Sequence, residues 1–166
     1  MYSIGENVVY GASGVMSVVD IREETIADVS RRYYVLKAPR DSKGSLTFVP
    51  VDNEKLTSAM RPLLSKGEVL AIIKDIDSIA EAEWIQDSRR RQDGFKRVIE
   101  SGDHRAIIAM IKSIYSSGIR REEEGKKNYL VDEAAMQKAE HVLYSEFSLV
   151  LGIPEEEVAD FIRANK

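Results

Sequence analysis

The chain has 166 residues, of which 43% are hydrophobic and 31% charged, and it carries a formal net charge of −4 and no cysteine. This size allows one domain of ordinary size or two small ones, while the missing cysteines exclude disulfides, thiolate nucleophiles and cysteine zinc sites. The weak net charge gives no whole-chain argument for nucleic-acid binding. The first residues lack the pattern of a signal peptide and the apolar runs are too short to cross a bilayer, so we expect a cytoplasmic protein without membrane contact.

The first 64 residues predict five short strands. Apolar, β-branched runs separated by turn-forming residues cover 7–10, 15–21, 33–38 and 46–51, and PRDSKG forms the turn between the last two. A fifth short strand is predicted at 60–64, where Pro62 indicates an edge or an end of the sheet. No helix in this half is long enough for a parallel crossover. The pattern therefore predicts a small, strongly bent antiparallel barrel.

The sequence GASG, residues 11–14, is glycine-rich enough to suggest a phosphate-binding loop. It lacks the Lys-Ser/Thr ending of a P-loop and the G-x-G-x-x-G spacing. It also leads into a second β-rich run, whereas a phosphate loop opens a helix. We interpret it as the turn between the first two strands.

From Ser65 onward the apolar period becomes helical. Ser65 and Glu68 match a capping box at the start of a helix that ends near residue 76. A second helix is predicted from about residue 81 to 100, ended by Ser101-Gly102, and Asp103 is placed to cap the third. The third helix presents an apolar stripe of Ile107, Ile108, Ile111, Ile114 and Tyr115.

Two further helices complete this half. Asp132 is placed to cap a fourth helix, and Pro154 opens a short final one. The fourth presents Met136, Ala139, Leu143, Phe147 and Val150 on one face. The fold class is therefore α+β, with a barrel over residues 1–64 followed by a compact all-α bundle over residues 65–166.

Charge is unevenly divided within the predicted bundle. Residues 84–127 have a balance of +4, and residues 128–166 have a balance of −5. Trp84, the only tryptophan, precedes a basic segment. The segment's members are Arg89, Arg90, Arg91, Lys96 and Arg97. Arginine and lysine neutralise phosphates, and a large ring can wedge at a distorted base step. The alternative is that Trp84 is buried between barrel and bundle and that the arginines form a solvated face.

No constellation of catalytic or metal-binding residues is evident. His104 and His141 lie on different predicted helices without a ligand-like spacing, and the two EEE runs are typical of solvated helix faces. We expect no catalytic residue, no metal and no cofactor, and hence no enzyme.

The order of these features resembles the CarD-like (CdnL) bacterial transcription regulators. The resemblance rests on IGENVVYGASGVMSVVDI, YYVLKA, FVPV and MRPLLS in the first half. In the second half it rests on the Trp-headed basic helix, the SGD break and AEHVLYSEFSLVL, so that it covers roughly residues 2–152. It implies that the first 64 residues form a Tudor/SH3-like barrel, a module shared with the transcription-repair coupling factor, and that this module binds RNA polymerase.

The resemblance also implies a mechanism and a set of contacts. The barrel docks on the polymerase β subunit by strand pairing, while the helical domain contacts promoter DNA without sequence-specific readout at the upstream edge of the bubble and stabilises the open complex. A tryptophan wedges into the minor groove there. The implied DNA-binding residues are Trp84, Ser88, Arg89, Arg90, Arg91, Lys96 and Arg97. The implied polymerase-binding residues are Arg22, Arg31, Arg32, Tyr33, Phe48, Val49 and Pro50. We expect a monomer when the protein is bound to polymerase.

This chain departs from the family pattern at three places. IQDS separates Trp84 from the arginines, about one helical turn, so alignment from SGD places Ser88 near the wedge position instead. Gly11 stands where the family has proline, and Glu24 and Phe48 fall near positions of docking arginines. The acidic helix after Pro154 lies outside the resemblance. The main alternative function is a two-domain protein-interaction adaptor in which Trp84 is buried, and a small-molecule enzyme is a distant third.

Overall fold

In the computed structural model, which describes residues 1–39 and 44–166, the chain divides into an N-terminal unit, Met1–Leu63, and a C-terminal unit, Leu64–Lys166. The strands are β1 (Asn7–Tyr10), β2 (Val15–Ile26), β3 (Val29–Lys37), β4 (Leu46–Pro50) and β5 (Met60–Pro62). The helices are α1 (Glu54–Thr57), α2 (Lys66–Asp75), α3 (Ser88–Ser101), α4 (His104–Glu123), α5 (Leu130–Leu151) and α6 (Val158–Asn165). The predicted class, strands followed by helices, is confirmed.

The five strands form one antiparallel sheet in the order β4-β3-β2-β1-β5. Within the described residues β4 and β5 each have a single partner strand, so the sheet does not close and the predicted barrel is wrong in this respect. A physical reason lies in β5, which has three residues and includes Pro62, a residue without an N–H to continue the ladder. An apolar cluster of the sheet is composed of Val8, Met16, Val18, Tyr34, Leu36, Val49 and Met60, and Val9, Val15 and Val35 are buried outside it.

The GASG sequence is a turn between β1 and β2, as predicted. Residues Gly11–Ser13 form a single 3-10 turn, and the N–H of Tyr10 donates to the carbonyl of Gly14 at 2.9 Å. Gly14 has a φ of +73°, a conformation that L side chains rarely adopt. Its glycines therefore serve the backbone of the turn.

The hairpin of β2 and β3 is longer than the sequence predicted. β2 continues to Ile26, β3 begins at Val29, and the two residues between them, Ala27 and Asp28, have φ values of 51° and 62°. Positive φ at both central positions is the geometry of a type I′ hairpin turn. Residues 25–32 are all exposed, so no alternation of apolar and polar residues marks the end of this hairpin. The predicted PRDSKG turn includes residues 40–43, which lie outside the described residues.

The helical unit begins with the predicted capping box. Ser65 Oγ accepts from the N–H of Glu68 at 3.3 Å, and the Glu68 carboxylate accepts from the N–H of Ser65 at 2.8 Å. Asp103 caps α4 through the N–H of Ala106 at 3.0 Å, also as predicted. An apolar cluster of the unit is composed of Val69, Ile73, Ile79, Ile108, Leu143, Phe147, Val158 and Ile162, and further apolar residues such as Phe95, Ile107 and Val142 are buried outside it.

Three sequence predictions in this unit are wrong. α3 begins at Ser88 and not near residue 81, because Asp87 caps it by accepting from the N–H of Arg90 at 2.7 Å. Trp84 therefore precedes the helix. Tyr115 is 64% exposed and does not belong to the α4 core stripe, where Met110 is buried instead. Asp132 does not cap α5, since it lies inside the first turn of that helix and is buried.

Candidate functional site

Strand β4 presents a free edge of the sheet. The N–H of Val51 donates to the carbonyl of Arg32 at 2.9 Å, next to the pairing of Pro50 with Tyr33. Because paired residues alternate between bonded and non-bonded positions in an antiparallel ladder, the main chain of Thr47 faces β3 and that of Phe48 faces away from it. No described strand pairs with this outer side of β4. The main chain of Phe48 is therefore available to an incoming strand.

Five predicted polymerase-binding residues share one face of the sheet. Arg22, Tyr33 and Pro50 are direct cross-strand neighbours on β2, β3 and β4, so their side chains point to the same side. The rings of Tyr33 and Phe48 meet edge to face at 6.1 Å between centroids, and the Arg22 guanidinium lies 5.8 Å from the Phe48 ring centroid. Arg31 lies two residues before Tyr33 on the same face of β3. We call the sheet face that these five residues share the docking face.

The other two predicted residues lie on the opposite face. Val49 is fully buried in the sheet core, so its side chain cannot contact a partner and the prediction for it is corrected. Arg32 is exposed and pairs in register with Glu23 near the hairpin end. Tyr33 lies on the docking face but is only 7% exposed, and its ring packs edge to face against the Phe48 ring.

In the C-terminal unit, Trp84 lies in the non-helical segment that precedes α3. Its ring is half-buried and lies 6.4 Å from the Phe95 ring, centroid to centroid. The guanidinium of Arg91 lies 4.5 Å from the Trp84 ring centroid. The N–H of Ala82 donates to the carbonyl of Ala109 at 3.0 Å and ties this segment to α4.

Arg91 is a buried residue of this unit, 2% exposed. Its Nε and Nη2 donate to the two carboxylate oxygens of Asp132 at 3.2 and 3.0 Å, a bidentate pair. Its Nη1 donates to the carbonyls of Ile85 and Gln86 at 2.8 and 3.1 Å. The guanidinium is fully engaged, so Arg91 is not available to a phosphate and the predicted contact is corrected. Through these hydrogen bonds Arg91, on α3, connects the segment that carries Trp84 to α5.

The remaining predicted DNA-binding residues are exposed on α3. Arg89 and Lys96 are seven residues apart, as are Arg90 and Arg97, so each pair lies on one side of the helix two turns apart. Ser88 is also exposed and opens the helix. The four cations span about 12 Å along the axis at the helix rise of ~1.5 Å per residue.

The first turn of α3 has an unusual charge. It contains Arg89 and Arg90 and no acidic residue, although the positive end of the helix dipole favours acidic side chains there. Exposed cations at this end reduce helix stability and at the same time create a strongly positive surface. This surface attracts anions.

Tyr129 and Arg121 belong to the same neighbourhood and were not predicted. The guanidinium of Arg121 lies 3.8 Å from the Tyr129 ring centroid, and that of Arg91 lies 5.5 Å from it. These contacts join residues far apart in sequence. The spacing of Arg91 from Phe95 and Ile99, four residues at each step, is the one local signal that could have assigned Arg91 to the buried face.

His104 forms a buried pair elsewhere in the unit. Its Nε2 lies 2.8 Å from Glu146 Oε2, while Glu146 Oε1 accepts from the N–H of Leu64 at 2.8 Å. Glu146 is fully buried, and the His104 ring stacks on Phe147. This arrangement ties the start of the unit to α4 and α5, so we assign it a structural role.

The described part of the chain holds no group of three or more His, Asp or Glu residues arranged to bind a metal ion. Among its helices none combines the length and apolarity needed to cross a bilayer.

Comparisons with known proteins address the N-terminal unit first. Residues 2–64 match the CarD-like/TRCF RID domain. This unit belongs to the CarD-like family. The resemblance found in the sequence is thereby confirmed, and the family is one of transcription regulators that interact with RNA polymerase.

A relative covers both units. YdeB from Bacillus subtilis (strain 168), whose name describes it as a candidate transcription factor, is 23% identical over 164 residues, which represent 97% of this chain and 99% of YdeB. The chain is therefore similar to YdeB over nearly its whole length, including the helical unit that the family domain does not cover.

Proposed function

We propose that this CarD-like protein is a transcription regulator that docks on the RNA polymerase β subunit and stabilises the promoter open complex through non-sequence-specific DNA contacts. The observation that carries the proposal is the free edge of β4 in a unit of a polymerase-interacting family. The protein acts in the cytoplasm, as a monomer on the polymerase, and its DNA contacts lie at the upstream edge of the bubble.

Docking proceeds by strand addition at β4. The outward N–H and carbonyl of Phe48 pair with a strand of the polymerase, and main-chain hydrogen bonds supply the affinity. Arg22, Arg31, Phe48 and Pro50 supply selectivity from the docking face, with Tyr33 as support. Arg32 reaches the same partner from the hairpin.

DNA contact proceeds through α3 and the segment before it. Arg89, Arg90, Lys96 and Arg97 neutralise phosphates, and Ser88 donates to a further phosphate oxygen. The Trp84 ring wedges into the minor groove. Because the regulator binds the melted promoter better than the closed one, it shifts the equilibrium toward the open complex by the difference in binding free energy.

Two substitutions at Phe48 test the docking mode in the full-length protein. Phe48→Pro removes the outward N–H, and Phe48→Ala removes the same aromatic side chain but keeps the N–H. Proline is tolerated on an edge strand because the lost N–H does not face the neighbouring strand. We expect Phe48→Pro to weaken polymerase binding clearly more than Phe48→Ala, measured by biolayer interferometry on purified core polymerase. Equal affinities of the two variants would contradict strand addition at β4.

A protein-interaction adaptor is the second candidate function, because Trp84 is half-buried against Phe95 and Arg91. An adaptor needs no DNA contact, and the basic α3 would then bind an acidic protein. Titration of the full-length protein with a fork-shaped promoter fragment at several salt concentrations separates the two. The DNA-binding function requires an affinity that falls linearly on a log–log plot against salt.

A further inference from the structure

Two adjoining cavities lie beside Trp84 in the C-terminal unit. The first has a volume of about 260 Å³ and is walled mainly by the rings of Trp84, Tyr115 and Tyr129 and by aliphatic side chains of α4 and α5, while Glu122, Asp132 and Glu133 complete its border. The second has a volume of about 400 Å³ and is bordered by Arg120, Arg121 and Lys126. Trp84, Ser117, Arg121 and Tyr129 line both cavities. An apolar, aromatic compartment and a basic one therefore share a wall.

The first cavity suits a flat aromatic group. Its volume lies just below the range of about 300–1,000 Å³ that drug-sized ligands occupy, so it fits a ligand of the size of a single ring system. Aromatic side chains stack on nucleobases without regard to sequence. Tyr129 is 46% exposed and Tyr115 64% exposed, so both rings offer surface to a base, and on Tyr129 that surface lies away from the face that Arg121 covers.

Asn128, which lines the same cavity, carries a side-chain acceptor without a partner in the described residues. Asn128 Oδ1 is buried and makes no hydrogen bond within the described residues, whereas Asn128 Nδ2 lies 3.5 Å from Glu122 Oε1. Gly118 makes room for this amide, since a Cβ at Gly118 would lie 3.2 Å from Nδ2. A buried acceptor without a donor is costly, and every nucleobase offers an N–H on its pairing edge. That edge is available only in an unpaired base.

The second cavity has a positive electrostatic potential. The pKa of the Glu124 carboxyl is lowered, first by the hydrogen bond from Lys126 and then by the charges of Lys126, Arg121 and Arg120. Arg121 is held in place because its Nε and Nη2 donate to the carbonyl of Lys127 at 2.9 and 2.7 Å. A phosphate that displaces the Glu124 carboxylate from Lys126 would meet all three cations.

We propose that the paired cavities bind one unpaired nucleotide of a DNA strand, with its base in the aromatic cavity against Tyr129 and Asn128 and its phosphate on Arg120, Arg121 and Lys126. This site rests on the proposed DNA contact of the helical unit and extends it. Whereas Trp84 and α3 meet the duplex, the cavities take a base that melting has released. The protein thereby gains a preference for melted over paired DNA that phosphate contacts alone do not give.

Fluorescence of Trp84 tests the proposal in the full-length protein, because Trp84 is the only tryptophan and lines both cavities. Four probes are titrated at one salt concentration: a ten-residue oligo-dT, the same oligonucleotide with abasic sites, a duplex, and thymidine monophosphate. We expect oligo-dT to change the fluorescence and to bind about tenfold or more tighter than the abasic strand, since the two differ only in their bases. We expect thymidine monophosphate to bind much more weakly than oligo-dT.

Asn128→Ala is expected to weaken oligo-dT binding at least threefold and to leave duplex binding unchanged. Asn165→Ala, at an exposed asparagine in α6 of the same unit, is the matched control and should change neither. A second variant, Gly118→Ala, crowds the Asn128 amide and should weaken oligo-dT binding in the same direction. Urea denaturation of each variant confirms that it is folded.

The outcomes separate this site from the proposed function. Equal binding of oligo-dT and the abasic strand, or loss of duplex binding in Asn128→Ala, overturns the nucleotide site while DNA binding stands. Thymidine monophosphate that binds as tightly as oligo-dT overturns a DNA strand as the source of the nucleotide. Absence of binding to all four probes overturns the DNA contact itself.

Discussion

Replacement of Arg89 and Arg90 by glutamate is expected to stabilise the protein and to weaken its binding to DNA. Both residues lie in the first turn of α3, which contains no acidic residue, and both are exposed. An acidic side chain near a helix N-terminus contributes about 0.3–1 kcal/mol, so the double substitution should raise the free energy of unfolding by about 0.6–2 kcal/mol. Asp87 continues to cap the helix because its partner is a main-chain N–H.

If α3 binds DNA as proposed, the same substitution removes two phosphate contacts. Each neutralised phosphate contributes about 0.9 to the slope of log affinity against log salt, so the slope should become less steep by about 2. Arginines that had only a structural role would produce the opposite sign for stability, because their loss would destabilise the fold. A gain in the free energy of unfolding together with a loss of DNA affinity would therefore indicate a binding surface whose cations lower the stability of the helix.

Urea denaturation followed by Trp84 fluorescence measures the first effect, and fluorescence anisotropy of a labelled promoter fork at several salt concentrations measures the second. Lys66→Glu is the matched control, since Lys66 is an exposed cation in the first turn of α2. It should give a similar stabilisation and leave the DNA affinity unchanged. A destabilised double variant, or one with the affinity and salt slope of the wild type, would refute the assignment of α3 to DNA.

Four further substitutions test the arrangement of the C-terminal unit. Arg91→Lys keeps the charge, but a lysine cannot maintain the four hydrogen bonds of the guanidinium. It should therefore shift Trp84 fluorescence and lower the DNA affinity. The slope of log affinity against log salt should stay constant in the same anisotropy assay. Glu146→Leu leaves the N–H of Leu64 without its acceptor, which should lower the free energy of unfolding by about 1–3 kcal/mol in urea denaturation. Ser65→Ala removes a helix cap and should cost about 1 kcal/mol by the same measurement. The pKa of the Glu68 carboxyl is lowered below its usual 4.5 by the hydrogen bonds from the main chain and side chain of Ser65. Ionised Glu68 therefore stabilises the fold above that pH, and this contribution is lost as the pH falls. The difference in the free energy of unfolding between the wild type and Glu68→Gln should accordingly be smaller at pH 3 than at pH 7.

Features that depend on neighbours in sequence could be predicted. The capping box of Ser65 and Glu68, the Asp103 cap and the GASG turn each need only three or four residues, and the structure contains all of them. The order of strands and helices followed from apolar periodicity. The hairpin end at residues 25–32 escaped prediction because it is exposed on both faces and leaves no such period.

Features that depend on distant partners could not be predicted in the same way. The three arginines at 89–91 are chemically identical, and only Arg91 is buried, because it pairs with Asp132 on α5. Asp132 lies 41 residues further along the chain, so this pairing leaves no local signal. The prediction that Asp132 caps a helix failed for the same reason: its carboxylate is committed to a side chain and not to a main-chain N–H. A local sequence pattern does not indicate which of these partners the Asp132 carboxylate binds.

The position of Trp84 reconciles the two interpretations that the sequence left open. A fully buried ring could not wedge into DNA, and a fully exposed one would lose conformational freedom on binding, which weakens affinity. The Arg91 guanidinium lies 4.5 Å from the centroid of the Trp84 ring, the Phe95 ring lies 6.4 Å away between centroids, and part of Trp84 remains exposed. A ring that is fixed before DNA arrives meets a distorted base step with little further loss of entropy. In the proposed DNA complex Arg91 would therefore act by positioning Trp84, since the charge that it would have offered to a phosphate is neutralised inside the protein by Asp132.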